Sequence, residues 1–189
     1  YIWASIIGVT LSSLAIGYYV GGRVSQKYSR VNLLFYIFFA VALIMALLPA
    51  VAPGVLYSLT DYSIRSASLL ASLMLAGIPM FLLGITPPLI ISLLSNELDD
   101  SGKIAGRVYA ISTLGGIFST LLLGFLVIPA YGLKLPLLVI SVIVMVVALV
   151  GFLKLKKYRL TIVGVVLMLL LTQIYFKKPL RMKAIKVRE

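Results

Sequence analysis

An all-α, polytopic membrane bundle is the fold class this sequence predicts, and three observations predict it. The chain of 189 residues is 62% hydrophobic and only 12% charged, whereas an ordinary soluble domain is nearer half apolar and a quarter charged. Its mean hydropathy is +1.15. Its apolar residues also fall into runs of the length that crosses a bilayer, about 20 residues for about 30 Å of hydrocarbon. Six such runs are predicted helices, at 2–20, 31–52, 68–94, 104–130, 135–153 and 160–176. They form one helical transmembrane domain over 1–176, followed by a basic juxtamembrane tail over 177–189.

The first run carries Ser13, Gly17 and Gly21 at every fourth position. Residues four apart share a helix face, so this face is a smooth strip where another backbone approaches closely. Trp3, near one end, suits an interfacial anchor. After this run, 21–30 is a predicted cytoplasmic loop with Gly22, Arg23, Lys27 and Arg30 and no acid. The second run, 31–52, leads to a connection at 53–65 that holds Asp61 and Arg65.

The third run is irregular. A continuous helix over 66–96 would be about 46 Å long, more than the hydrocarbon needs. Pro79, Pro87 and Pro88 lie inside it. Each proline removes a donor and clashes one turn back, so the helix is expected to break or kink there. Gly84-Ile-Thr-Pro-Pro88 has two readings: a broken helix at a substrate site, as in transporters, or a packing kink. The connection at 95–103 contains Glu97, Asp99, Asp100 and Lys103, a solvated loop or a contact for a polyamine or a soluble domain.

The fourth run opens with Arg107 and Tyr109, the candidates for contact with a ligand or a lipid headgroup. It repeats the four-residue strip as Ser112, Gly116, Thr120 and Gly124. The two strips are expected to face other helices, with each other among the candidates. Lys134 precedes the fifth run, and Lys154, Lys156, Lys157 and Arg159 separate it from the sixth.

The net charge of +12, from 17 Lys and Arg against 5 Asp and Glu, follows the helix ends and the tail and forms no folded basic face. It points to membrane topology and anionic headgroups, with no nucleic acid as partner. Most connection cations fall in the first, third and fifth connections, with only Arg65 and Lys134 in the others. The positive-inside rule therefore places the odd connections in the cytoplasm. The tail, with Lys177, Lys178, Arg181, Lys183, Lys186 and Arg188, departs from that alternation, and its side stays open. Cys and His are absent. That removes thiolates, disulfides and the usual soft metal ligands, and no catalytic residue, cofactor or metal is assigned.

Several blocks resemble known families. Gly21-Gly-Arg-Val-Ser-Gln-Lys-Tyr-Ser-Arg30 is similar to the cytoplasmic loop of major facilitator transporters, with Gln26 at the acid position and Ser29 at the later glycine. A closer resemblance is to the facilitator-like membrane domain of spermidine synthase-like proteins, in which that domain is fused to an aminopropyltransferase. It rests on Tyr1-Ile-Trp-Ala-Ser-Ile-Ile-Gly8 with Ala15-Ile-Gly-Tyr-Tyr-Val-Gly-Gly-Arg23, on Pro79-Met-Phe-Leu-Leu-Gly-Ile-Thr-Pro87, and on Gly106-Arg-Val-Tyr-Ala-Ile-Ser-Thr-Leu-Gly115 continuing to Gly124-Phe-Leu-Val-Ile-Pro129. The blocks occur in the family's order over about the first 130 residues.

The resemblance implies part of a facilitator-type half, a helix preceding Tyr1, and a connector at 177–189 leading to a covalently linked soluble synthase domain. It implies a multi-pass cell-membrane location and an anchor that passes polyamine-related substrate or product. The catalytic chemistry would lie outside this chain, which has no Gly-rich nucleotide loop after a strand and no paired carboxylates. Two alternatives stand beside it: a stand-alone facilitator-like transporter or half-transporter, and a structural subunit of an oligomer or membrane complex. All five acids (Asp61, Glu97, Asp99, Asp100 and Glu189) lie outside the apolar runs, whereas a polyamine carrier calls for intramembrane acids to balance its cargo.

Overall fold

The computed structural model describes residues 1–27, 30–95 and 101–177, and the side chains among them except at 27, 30, 101 and 169–177. The described chain is all-α, with no strand. Six helical stretches follow one another: α1 (Ile2–Lys27), α2 (Arg30–Ser58), α3 (Ile64–Leu94), α4 (Ser101–Leu121, continued by a π-helical Leu122–Val127 and a last α turn, Ile128–Tyr131), α5 (Lys134–Lys154) and α6 (Tyr158–Lys177). Five of them are long and apolar enough to cross a membrane, as in a multi-pass membrane protein, and the described part of α6 adds a shorter apolar helix.

The helices overrun the apolar runs that predict them. α1 continues through Gly21, Gly22 and Arg23 to Lys27, so the segment expected as a loop is mostly the end of this helix. Helix propensity disfavours that glycine pair by about 1 kcal/mol each. Packing overrides it, because Gly21 and Ser25 are both buried. Lys27 ends α1 and Arg30 begins α2, and their side chains lie outside the described residues. α2 runs through Pro49 and Pro53 to Ser58. α3 starts earlier than its apolar run because Ser63 caps it, accepting a hydrogen bond from Ser66 N–H.

The expected break in α3 does not occur, since the helix is continuous from Ile64 to Leu94. A π-helical turn, Leu73–Gly77, lies directly before Pro79. Pro79 has no N–H to offer Leu75 and its ring would press on that carbonyl; a widened turn makes room for both. The same device recurs in α4, where Leu122–Val127 is π-helical just ahead of Pro129. Pro87 and Pro88 sit within a regular helical stretch.

In the bundle α1 packs on α3, α3 on α2, α2 on α5, and α5 on α6. One core cluster, Ile37, Val41, Ile85 and Leu89, joins α2 to α3. A second, Ala42, Met145 and Leu149, joins α2 to α5. Phe152 is fully buried between Tyr36 and Phe39, with ring centroids 5.4 and 5.8 Å away. α4 meets its chain neighbours at its ends, and its most hydrophobic stretch contains no buried residue.

The exposed tyrosines and Trp3 form two belts. Tyr1, Trp3, Tyr57, Tyr62 and Tyr131 lie toward one end of the bundle, and Tyr18, Tyr19, Tyr36, Tyr109 and Tyr158 toward the other. Tyr36 and Tyr57 stand about 32 Å apart along α2, and Tyr109 and Tyr131 about 33 Å apart along α4. That spacing matches the hydrocarbon thickness, and such belts mark the two membrane interfaces. Several serine hydroxyls inside the helices donate to their own preceding turns, as from Ser72 to Ser68 O, Ser119 to Gly116 O and Ser141 to Leu138 O. These bonds satisfy the hydroxyls without water.

Candidate functional site

The contact of α1 with α3 gathers the first small-residue strip. Ser13, Gly17 and Gly21 are buried, and Ser25 extends their strip by one more turn. A Cβ at Gly17 would meet Phe81 O and come within 2.8 Å of Gly84 Cα. One at Gly21 would come within 2.7 Å of Ile85 O, and one at Gly84 within 2.8 Å of Leu14 O. The two backbones touch here because neither helix carries a side chain between them. At the far end Ser5 Oγ and Ser68 Oγ share a hydrogen bond of 3.1 Å.

The second strip has a different setting. Ser112, Gly116, Thr120 and Gly124 are exposed, and a Cβ at Gly116 or Gly124 would meet nothing within 4 Å. The two strips therefore do not seat on each other, and the first faces α3 instead. Arg107 and Tyr109 are also exposed. Two residues apart on a helix, they point away from each other, so no joint site forms from this pair.

Glu97, Asp99 and Asp100 of the third connection lie outside the described residues, as does the tail from 178 onward. Arg23, inside α1, lies 4.4 Å from the centroid of the Tyr19 ring. Lys157 donates to Tyr36 Oη at 2.9 Å and covers that ring at 4.6 Å. The Lys157 pair ties the end of α5 to the start of α2, which puts the first and fifth connections on one side of the bundle.

Two grooves flank the π-helical turn of α3. The larger, of about 530 Å³, lies between α1, the end of α2 and α3, with Ile6, Leu59, Ala71 and Leu75 among its walls. The smaller, of about 410 Å³, is bounded by Ser13, Ile16, Met74 and Phe81. Both are overwhelmingly apolar, and both owe part of their outline to the turn that accommodates Pro79. Nothing in the apolar periodicity signals this turn; the only sequence cue is a proline two residues after a small residue, Gly77.

Around Pro87 and Pro88 the structure leaves one polar atom unmatched. Thr86 Oγ1 is buried and makes no hydrogen bond. Its helix has also lost the two N–H groups that would reach Leu83 O and Gly84 O. Among the described residues no three His, Cys, Asp or Glu side chains come together as a metal site. No family model matches the chain, and no curated protein and no solved structure matches it.

Proposed function

We propose that this chain is the membrane-embedded module of a spermidine synthase-like protein, holding a soluble domain of the same polypeptide at the cell membrane. The observation that supports this reading is where the resembling blocks fall. The blocks at 1–23 and 79–87 supply the two faces of a single contact, with Gly17 and Gly21 seated on the backbone from Phe81 to Ile85. Residues of a shared pattern that build one interface are better explained by shared architecture than by scattered glycine coincidence. The chemistry of aminopropyl transfer belongs to the soluble part in this reading, and the helices serve as anchor and as a path for its substrate or product.

The test is made on the native polypeptide. Its intact mass is predicted to exceed 20.6 kDa by a soluble nucleotide-binding domain. Deletion of the helices is predicted to release that domain from the membrane and to change its activity toward polyamine acceptors. A polypeptide with no such domain, or a deletion that leaves attachment, activity and substrate range intact, contradicts the proposal.

A second reading, a stand-alone facilitator-like transporter, draws on the grooves beside the widened turn of α3. Labelled spermidine entering vesicles that contain the chain alone would favour it, and no uptake of any polyamine would count against it.

A further inference from the structure

We propose that the larger groove is a phospholipid site: one acyl chain lies between α1, α2 and α3, and the phosphodiester of its headgroup sits on Arg65. The inference goes beyond the function proposed above and needs only that the chain sits in a bilayer. The walls set the length. From Ile64 to Ala76, both groove-lining residues of α3, the helix rises about 18 Å. One leaflet contributes about 15 Å of hydrocarbon, so the groove spans one leaflet and stops near the midplane.

The cross-section suits an acyl chain. A volume of about 530 Å³ over that length gives a mean section of about 30 Å², which accommodates an extended hydrocarbon chain. The walls are suitably apolar, with Ile6, Leu59 and Leu75 facing the space.

The cation lies at the correct height. Arg65 Nη2 donates to Tyr1 Oη at 2.8 Å, and its guanidinium lies 4.5 Å from the centroid of the Tyr1 ring. Tyr1 adjoins Ile2, and Arg65 adjoins Ile64; both Ile2 and Ile64 line the groove. The Arg65–Tyr1 bond therefore bridges the two walls at their outer end, within the belt formed by Tyr1, Trp3, Tyr57 and Tyr62. That belt is the headgroup level. A guanidinium there has four further N–H donors, which suit phosphate oxygens. Asp61, the one acid among the described residues, stands in the same connection and would meet a headgroup amine.

The shared chemistry is a phosphodiester carrying acyl chains, and the experiment separates its sources. The purified full chain is stripped of lipid and examined by native mass spectrometry with phosphatidylglycerol, phosphatidylethanolamine or diacylglycerol. One bound phospholipid is expected, with diacylglycerol held at least about tenfold less tightly, since it lacks the charged contact. Preference for phosphatidylethanolamine assigns the amine to Asp61; preference for phosphatidylglycerol assigns the site to Arg65 alone. Ala71→Phe and Ile6→Trp, which fill the groove from opposite walls, are each expected to cut retention by about tenfold. Arg65→Ala is expected to weaken phospholipid binding without changing diacylglycerol, and Arg65→Lys to restore part of the loss. Failure of the wild-type chain to hold any lipid, equal binding of diacylglycerol, or unchanged retention in both groove-filling variants overturns the proposal.

Discussion

At Gly17 the space for a methyl group is already taken by the backbone of α3. Gly17→Ala and Gly84→Ala would each force carbon to within about 3 Å of main-chain atoms, and backbone cannot swing aside as a side-chain tip can. Overpacking of this kind costs about 1–3 kcal/mol. Gly116→Ala, on the exposed strip, meets nothing within 4 Å and is expected to be neutral or to stabilise by up to about 1 kcal/mol through helix propensity. Thermal unfolding of the three variants in one detergent checks the contrast. Comparable losses in all three would mean that both strips are packed. The sequence shows both strips equally well, because spacing reports a smooth face and not the partner that covers it.

Thr86 gives a prediction of opposite sign. Its hydroxyl is buried without a partner, which costs about 1–3 kcal/mol. Thr86→Val keeps the shape and removes the unpaired group, so the unfolding temperature is expected to rise. A lower unfolding temperature would show that the hydroxyl has a partner, such as an internal water between it and the carbonyls freed by Pro87 and Pro88.

At the scale of elements, the termini and widened turns have specific causes. α5 ends in a Schellman motif: Lys157 N–H donates to Phe152 O at 2.9 Å and Lys156 N–H to Leu153 O at 3.0 Å. This geometry puts Lys156 at φ +56°, a left-handed conformation that costs a non-glycine residue about 1–2 kcal/mol. Lys156→Gly is therefore expected to raise stability by about 1 kcal/mol, read as a shift in denaturation midpoint. No gain would place the cationic side chain in a contact that offsets the strain. The run of Lys154, Lys156 and Lys157 signals a helix end but not its left-handed residue, for which glycine is the usual cue.

The prolines of α3 teach a related lesson. Pro79, Pro87 and Pro88 announce lost hydrogen bonds, and an interruption is the simplest expectation. A helix has a second response, to widen by one residue and continue. Which response occurs depends on whether neighbours hold the two halves in line. Here α1 packs along α3 on both sides of the π turn, and that contact keeps the helix straight enough to continue.

For the whole molecule, the all-α membrane bundle was legible from apolar run length and from the placement of charge at the ends of the runs. The helix partners were not. Each run is apolar over most of its circumference, so it has no marked face to distinguish neighbour from lipid. The order α1 on α3, α3 on α2 and α2 on α5 arises from glycine contacts and complementary cores such as Leu89 against Val41. The groove was equally hidden, because it forms where α1, α2 and α3 diverge and not from any local motif.

These 189 residues contain no cysteine, so a pair introduced among them has no native thiol in the bundle to compete with, and one pair tests the arrangement most directly. Ser5→Cys with Ser68→Cys replaces two hydroxyls that lie 3.1 Å apart with thiols close enough to bond after small adjustment. In native membranes under mild oxidation, the pair is expected to resist maleimide labelling until reduced, while each single variant labels freely. Labelling of the pair equal to that of the single variants would contradict the seating of α1 on α3, and with it the bundle and the groove it encloses.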